Sequence, residues 1–286
     1  MIRFGPAGNG DLFVQQGYKK TEQVPEFLRR NGLTAFEYQC GRGVRYNAAT
    51  ADLFCREAAG QDIRFSVHAP YFISLASADP EKRDNSLRYI LDSAAAVSML
   101  GGDRIVVHPG GLCGLERAQA TELACQTLLR AQQHLDEQGL SQVHICPETM
   151  GKINQLGDLD EVLQMCLCDG RFLPCIDFGH LNCRTLGAVD GEAAYAAILD
   201  RIEQQLGRER AAQMHVHFSK IAYTKGGESH HLTFEDTQFG PDPLPLLRLI
   251  AQRGWEPTFI CESDGTQAQD AALLSEWYHT YREELK

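Results

Sequence analysis

Several features that would assign a chain to a particular class are missing from these 286 residues. No apolar run approaches the roughly 18 residues of a membrane-spanning helix. The opening MIRFGPAGNG lacks a basic flank followed by an apolar core, which a secretory signal requires. We therefore expect neither a membrane protein nor an exported one.

Paired cysteine motifs are also missing, because none of the ten cysteines forms a Cys-x-x-Cys pair. Most cysteines lie in apolar stretches, where a thiol behaves as a small hydrophobic side chain. Free thiols in a chain of this size are typical of a reducing compartment. The expected location is the cytoplasm, and the sequence gives no sign of a protein partner.

Basic residues are scarce, since 27 Lys and Arg stand against 38 Asp and Glu, for a formal net charge of −11. This charge argues against a broad basic surface for nucleic acids. Buried carboxylates that bind cations would add to the formal charge without describing the working surface. No linker, low-complexity segment or strong repeat divides the sequence, so we expect a single domain over residues 1–286.

Short apolar or β-branched segments alternate with longer helical patterns, of which residues 85–100 and 118–139 are the clearest. Eight strand–helix units predict an α/β protein with a single (β/α)8 TIM barrel. A doubly wound open sheet is the alternative, but no GxGxxG turn follows the first strand. The predicted strands are residues 2–7, 35–40, 63–70, 104–110, 143–149, 172–180, 213–220 and 257–264.

Six consecutive predicted strands end in the residue types that bind metals. The C-terminal strand ends of such a barrel build its active site. Carboxylates brought together there repel one another unless cations bind between them. Mixed histidine and carboxylate ligands suit zinc, manganese or iron, and paired ions hydrolyse phosphodiesters. The residues are His68, His108, Glu148, Asp177 with the nearby His180, His215 and His217, and Glu262.

Five segments of the chain resemble, in order and spacing, the motifs of endonuclease IV. They are VHAPYFISLAS (67–77), VVHPGG (106–111), PETMGK (147–152), CIDFGHLNCR (175–184) and CESD (261–264). This family comprises trinuclear-zinc apurinic/apyrimidinic endonucleases within the xylose isomerase-like barrels. The resemblance implies two or three zinc ions and abasic-site DNA as substrate.

The resemblance also implies the ligands of the first two ions and the catalytic residues. Glu148 would bridge the two ions, and Glu148 and Glu262 would hold the ions and orient the attacking hydroxide. His217, rather than His215, matches the family histidine of strand 7. The implied ligands are His68, His108 and Glu148 for the first ion, and Glu148, Asp177, His217 and Glu262 for the second.

The third ion is expected near residues 226–240, where the sequence departs from the family pattern. His180 is one implied ligand, His231 is the best match for the second histidine, and His230 is the alternative. Glu228 stands in for the family aspartate. Two further residues are implied to bind substrate: Tyr71, which matches a tyrosine that enters DNA, and Lys220.

A sugar isomerase or epimerase is the alternative function on the same barrel. Such relatives bind one divalent ion through two Glu, an Asp and a His, and this chain has that set. A small carbohydrate is then the expected substrate, and the two glutamates act as acid and base. The acidic charge and the altered 226–240 loop favour this alternative, whereas the additional strand-end histidines favour the nuclease. Metal binding without catalysis is a third alternative.

Overall fold

Eight parallel strands form the centre of the computed structural model, which describes residues 1–44, 48–189 and 191–285. Two four-stranded sheets have the orders β1-β10-β7-β6 and β2-β3-β4-β5. Isolated parallel bridges from Ala7 to Glu37 and from Glu148 to Cys175 join the two sheets into a closed barrel. The predicted (β/α)8 fold is therefore confirmed. The barrel strands are β1 (Arg3–Pro6), β2 (Ala35–Gln39), β3 (Arg64–His68), β4 (Arg104–Val107), β5 (His144–Pro147), β6 (Cys175–Asp177), β7 (His215–Phe218) and β10 (Thr258–Cys261).

Helices surround the barrel, and several begin and end where the sequence signals them. Asp79 and Asp242 cap two of the helices through their side chains, and each is followed by proline. Gly254 ends α10 at a φ of 63°, as glycine commonly does. The helices are α1 (Asp11–Gln15), α2 (Val24–Arg30), α3 (Ala48–Ala58), α4 (Pro80–Met99), α5 (Arg117–Glu137), α6 (Leu159–Leu167), α7 (Phe178–Arg184), α8 (Gly191–Leu206), α9 (Arg208–Ala212), α10 (Pro243–Arg253) and α11 (Gln267–Glu284).

Alternation along each strand separates the outer core from the barrel interior. Val216 and Phe218 of β7 belong to the main core between strands and helices, together with Val67 of β3. The intervening positions point inward, so His215 and His217 of β7 face the barrel axis. Within the described ranges, no helix is long and apolar enough to span a bilayer.

All eight predicted strands extend past the observed ones, and two of these errors affect the site. Residues 172–180 form only a short strand, because Asp177 accepts a hydrogen bond from the backbone N–H of His180 and begins α7. Residues 213–220 contain β7, which ends at Phe218. After it, β8 (Lys220–Thr224) and β9 (Gly227–Leu232) form an antiparallel hairpin that the sequence patterns did not predict.

Candidate metal centre

The described residues contain five groups of potential ligands, and three of these groups lie at the C-terminal mouth of the barrel. The ligand atoms of each group lie within 4.8 Å of one another. Several of these residues line a cleft of about 390 Å³, into which all three groups contribute side chains. The first cluster is His68, His108 and Glu148, the second is Glu148, Asp177, His217 and Glu262, and the third is His180, Glu228 and His231.

Glu148 links the first two clusters. Its Oε2 lies 2.9 Å from Nε2 of His108 and 3.3 Å from Nε2 of His68. Its Oε1 lies 3.2 Å from Nδ1 of His217 and 3.3 Å from Nδ1 of His180. Burial alone would raise the pKa of Glu148, but the histidines, His108 above all, hold that pKa well below its ordinary value. The carboxylate is therefore ionised and can face two cations at once.

The turn from β6 into α7 brings Asp177 and His180 together. Nδ1 of His180 lies 3.3 Å from Oδ2 of Asp177 and 2.9 Å from the carbonyl oxygen of Thr149. Burial raises the pKa of Asp177 to about 6. Burial lowers the pKa of His180, but the carboxylates of Asp177, Glu148 and Glu228 together raise it to about 10. Gly179 permits the turn, since a Cβ there would lie 2.5 Å from the carbonyl oxygen of Ser219.

Two histidines of β7 occupy different depths. Nδ1 of His217 lies 3.5 Å from Oε2 of Glu262, at the mouth. His215 lies one layer deeper, where its Nε2 is 3.0 Å from Oε2 of Glu37. Burial lowers the pKa of His215 to about 4, so this ring is neutral. Sequence reasoning missed Glu37, because this residue lies within a strand rather than at its end and no motif contains it.

The hairpin supplies two of the three residues of the third cluster, Glu228 and His231. Oε2 of Glu228 lies 3.6 Å from Nε2 of His180, and Nδ1 of His231 lies 2.8 Å from Oγ of Ser219. His230, the alternative candidate, is exposed and lies outside the three clusters, because neighbouring residues of a strand point to opposite faces. The hairpin thus places His231, and not His230, beside His180.

Lys220, which is predicted to bind substrate, does not line the metal cleft. Its Nζ donates hydrogen bonds to the carbonyl oxygens of Phe234 and Asp236. This ammonium group stabilises the loop after the hairpin, and Lys220 lines a neighbouring cavity of about 460 Å³. The structural reason is that Lys220 begins β8 and points away from the mouth.

Tyr71, which is predicted to bind substrate, lies at the rim of the cleft with 58% of its surface exposed. Its ring centroid is 5.4 Å from that of His68 and 5.3 Å from that of His108. Gly41 lies behind the ring, because a Cβ there would be 2.4 Å from Cε2 of Tyr71. The tyrosine therefore covers the first cluster while keeping one face toward solvent.

The side chains of the mouth fit divalent cations. Oε2 of Glu148 and Oδ2 of Asp177 are buried, and no hydrogen-bond donor among the described residues is aligned with either oxygen. Buried ionised oxygens of this kind are costly unless a cation or a donor satisfies them. Imidazole and carboxylate ligands without thiolate suit zinc, and also manganese or iron.

A closed barrel with a mouth lined by histidines and carboxylates is typical of metal-binding (β/α)8 barrels. The family model described as xylose isomerase-like TIM barrel matches residues 25–282, and the chain belongs to that family. An uncharacterized protein of Methanocaldococcus jannaschii is 34% identical over 280 residues, which cover 98% of this chain and 97% of that protein. A probable endonuclease 4 of Acholeplasma laidlawii is 32% identical over 122 residues, or 41% of this chain and 40% of that protein.

Two solved structures share the fold over nearly the whole chain. A D-tagatose 3-epimerase-like protein has a TM-score of 0.75 at 18% identity, with 100% of both chains covered. Endonuclease IV from Thermus thermophilus has a TM-score of 0.72 at 21% identity, with 99% of both chains covered. The predicted resemblance to endonuclease IV is thus confirmed. These likenesses show a fold that the chain shares with both an epimerase-like protein and an endonuclease IV.

Proposed function

We propose that the protein is a zinc-dependent phosphodiesterase of the endonuclease IV type, which hydrolyses DNA 5′ to abasic sites. The observation that carries this proposal is the third cluster of His180, Glu228 and His231, which opens into the same cleft as the first two. A one-ion isomerase requires a single set of four ligands and has no use for a third cluster. We propose two or three ions per chain, with manganese or iron as substitutes, and a cytoplasmic location, since all ten cysteines are free.

Divalent ions at this mouth would lower the pKa of a water toward neutrality and stabilise the charge of the phosphodiester in its transition state. Glu148 belongs to both of the first two clusters, so its side chain fixes the separation between them. Glu262 lies at the more open edge, with 15% of its side chain exposed. Burial would raise its pKa, but His217 lowers that pKa to about 2, so Glu262 is ionised and can accept a hydrogen bond from the attacking water.

An abasic nucleotide suits the cleft for two reasons. It has no base to unstack, so moving it out of the duplex costs less than moving a paired nucleotide. The exposed face of Tyr71 can then contact the sugar beside the first cluster. Among the described residues that line the cleft, Lys152 is the one Lys or Arg side chain, so phosphate binding should be weak.

A sugar epimerase is the second candidate, and the scarcity of Lys and Arg side chains at the cleft favours it. The second cluster alone provides the two Glu, the Asp and the His that a one-ion epimerase needs. In that case Glu148 and Glu262 would exchange a proton with a sugar carbon beside a polarised carbonyl.

Elemental analysis and two activity assays separate these candidates. We expect two or three ions per chain after gentle purification, and one ion or none would contradict the proposal. We also expect weak incision of an abasic duplex that falls steeply as salt rises, with an intact duplex as control. Turnover of a keto or aldo sugar with no incision at any salt concentration would assign the protein to the epimerases.

A further inference from the structure

Glu37 is a fully buried carboxylate beneath the cleft, in the middle of β2. Its register partner on β3 is Ser66, two residues before His68, so Glu37 lies one inward layer below the mouth. An unpaired carboxylate in such a position costs several kcal/mol. Its surroundings must therefore offset that cost.

Each oxygen of Glu37 has two close polar neighbours. Oε2 accepts a hydrogen bond from Oγ of Ser66 at 3.0 Å and lies 3.0 Å from Nε2 of His215. Oε1 lies 3.2 Å from Nε2 of Gln39, which donates to it, and 3.1 Å from Nε2 of His217. One carboxylate thus connects the deep histidine His215 with His217 at the mouth.

The two ring nitrogens of His217 face different surroundings. Nδ1 points at the second cluster, 3.2 Å from Oε1 of Glu148. Nε2 points down at Glu37, and this nitrogen has no aligned hydrogen-bond partner among the described residues. A carboxylate can only accept, so a proton on Nε2 is attracted to Glu37, and the lone pair of the neutral ring is then on Nδ1.

We infer that Glu37 is a positioning residue that holds the ring of His217 with Nδ1 toward the second ligand cluster. This inference rests on the proposed metal centre. Carboxylates that contact the outer nitrogen of a ligating histidine fix its orientation and tautomer, and their loss typically lowers metal affinity about 10- to 100-fold. His215, Ser66 and Gln39 in turn hold Glu37 in place.

A graded pair of variants tests the role through metal binding rather than activity. Glu37→Leu removes every acceptor, and Glu37→Gln keeps one neutral acceptor. In chelator competition we expect the zinc affinity of the second cluster to fall about 10- to 100-fold in Glu37→Leu, and less in Glu37→Gln. The visible spectrum of the cobalt-loaded protein reports the ligands around the ion. It should therefore differ from the wild-type spectrum more in Glu37→Leu than in Glu37→Gln.

Ser66→Ala is the matched control, because it removes a hydrogen bond from Oε2 and leaves Oε1 beside His217. Because His215 and Gln39 still contact Glu37 in this variant, its metal affinity and cobalt spectrum should stay closer to those of the wild type than those of Glu37→Leu do. Equal affinities in all four proteins would overturn the positioning role, as would an equal loss in Ser66→Ala and Glu37→Leu.

Nitrogen-15 NMR of zinc-loaded wild-type protein provides a test that needs no variant. We expect His217 to carry its proton on Nε2 and to bind zinc through Nδ1. A proton on Nδ1, or a protein that holds no zinc, would overturn the inference. Normal zinc binding with no DNA incision would overturn only the proposed function.

Discussion

Replacing Glu148 by glutamine tests the metal centre most directly. The change keeps the shape of the side chain and removes one negative charge from a fully buried position. Both oxygens of Glu148 face histidine nitrogens at 2.9 to 3.3 Å. An amide oxygen is a poor bridging ligand, so the first two clusters should lose their ions together.

The size of the effect follows from this geometry. Removing one partner of a buried charge pair lowers the free energy of unfolding by about 3–5 kcal/mol. In the metal-free protein the loss is smaller at higher pH, where the histidines beside Glu148 are neutral. Because the pKa of Glu148 is depressed, its stabilising contribution is present above the ordinary value of 4.5 and is lost as the pH falls further. Incision should fall well beyond the about 10- to 100-fold loss typical of residues that only orient a ligand.

Glu161→Gln is the matched control for elemental analysis and incision. Glu161 is also a buried glutamate, but it caps α6 through the backbone N–H groups of Gly157 and Asp158. This variant should keep its full metal content. A Glu148→Gln protein with a full metal load and normal turnover would refute the assignment of Glu148 to the centre.

Three further predictions concern the rest of the site. His231→Gln should lose the third ion in elemental analysis, whereas His230→Gln should keep it; loss in both or in neither would contradict the assignment. Tyr71→Ala should raise KM more than it lowers kcat and leave the metal content unchanged, and a lost ion would show a different role. In the metal-free protein, the raised pKa of His180 means that its protonated ring stabilises the fold. This contribution is complete below the ordinary pKa of 6.5 and is lost as the pH rises through about 10. The stability difference between wild type and His180→Asn in denaturant titrations should therefore shrink from pH 6.5 to 10, and a constant difference would contradict this pKa.

The convergence of the candidate ligands at the strand ends was predictable because two regularities act together. Side chains alternate along a strand, and the C-terminal ends of parallel strands meet at one mouth of a barrel. His68 and His108 therefore had to converge once their strands were recognised. That residues 1–286 form one domain stays a prediction.

Features away from the strand ends were harder to predict. Glu37 lies within β2, and only the closed barrel shows that it meets histidines from β7, about 180 residues further along the chain. The strand predicted over 172–180 failed because the side chain of Asp177 offers the backbone a helix cap, which apolar content does not reveal. Lys220 was predicted to continue β7, but the chain turns at Ser219 and Lys220 begins β8.

The third cluster, on which the proposed nuclease function rests, depends on how the hairpin packs against the barrel. The backbone N–H of Glu228 donates to the carbonyl oxygen of Gly151 at 3.2 Å. A Cβ at Gly227 would lie 2.2 Å from that same oxygen, so only glycine allows this approach. A Cβ at Gly151 would lie 2.7 Å from Cβ of Glu228 and 2.8 Å from Cδ2 of His180. The first two clusters need only the barrel strands, but the third cluster also needs these two glycines, because they bring Glu228 and His231 down to His180.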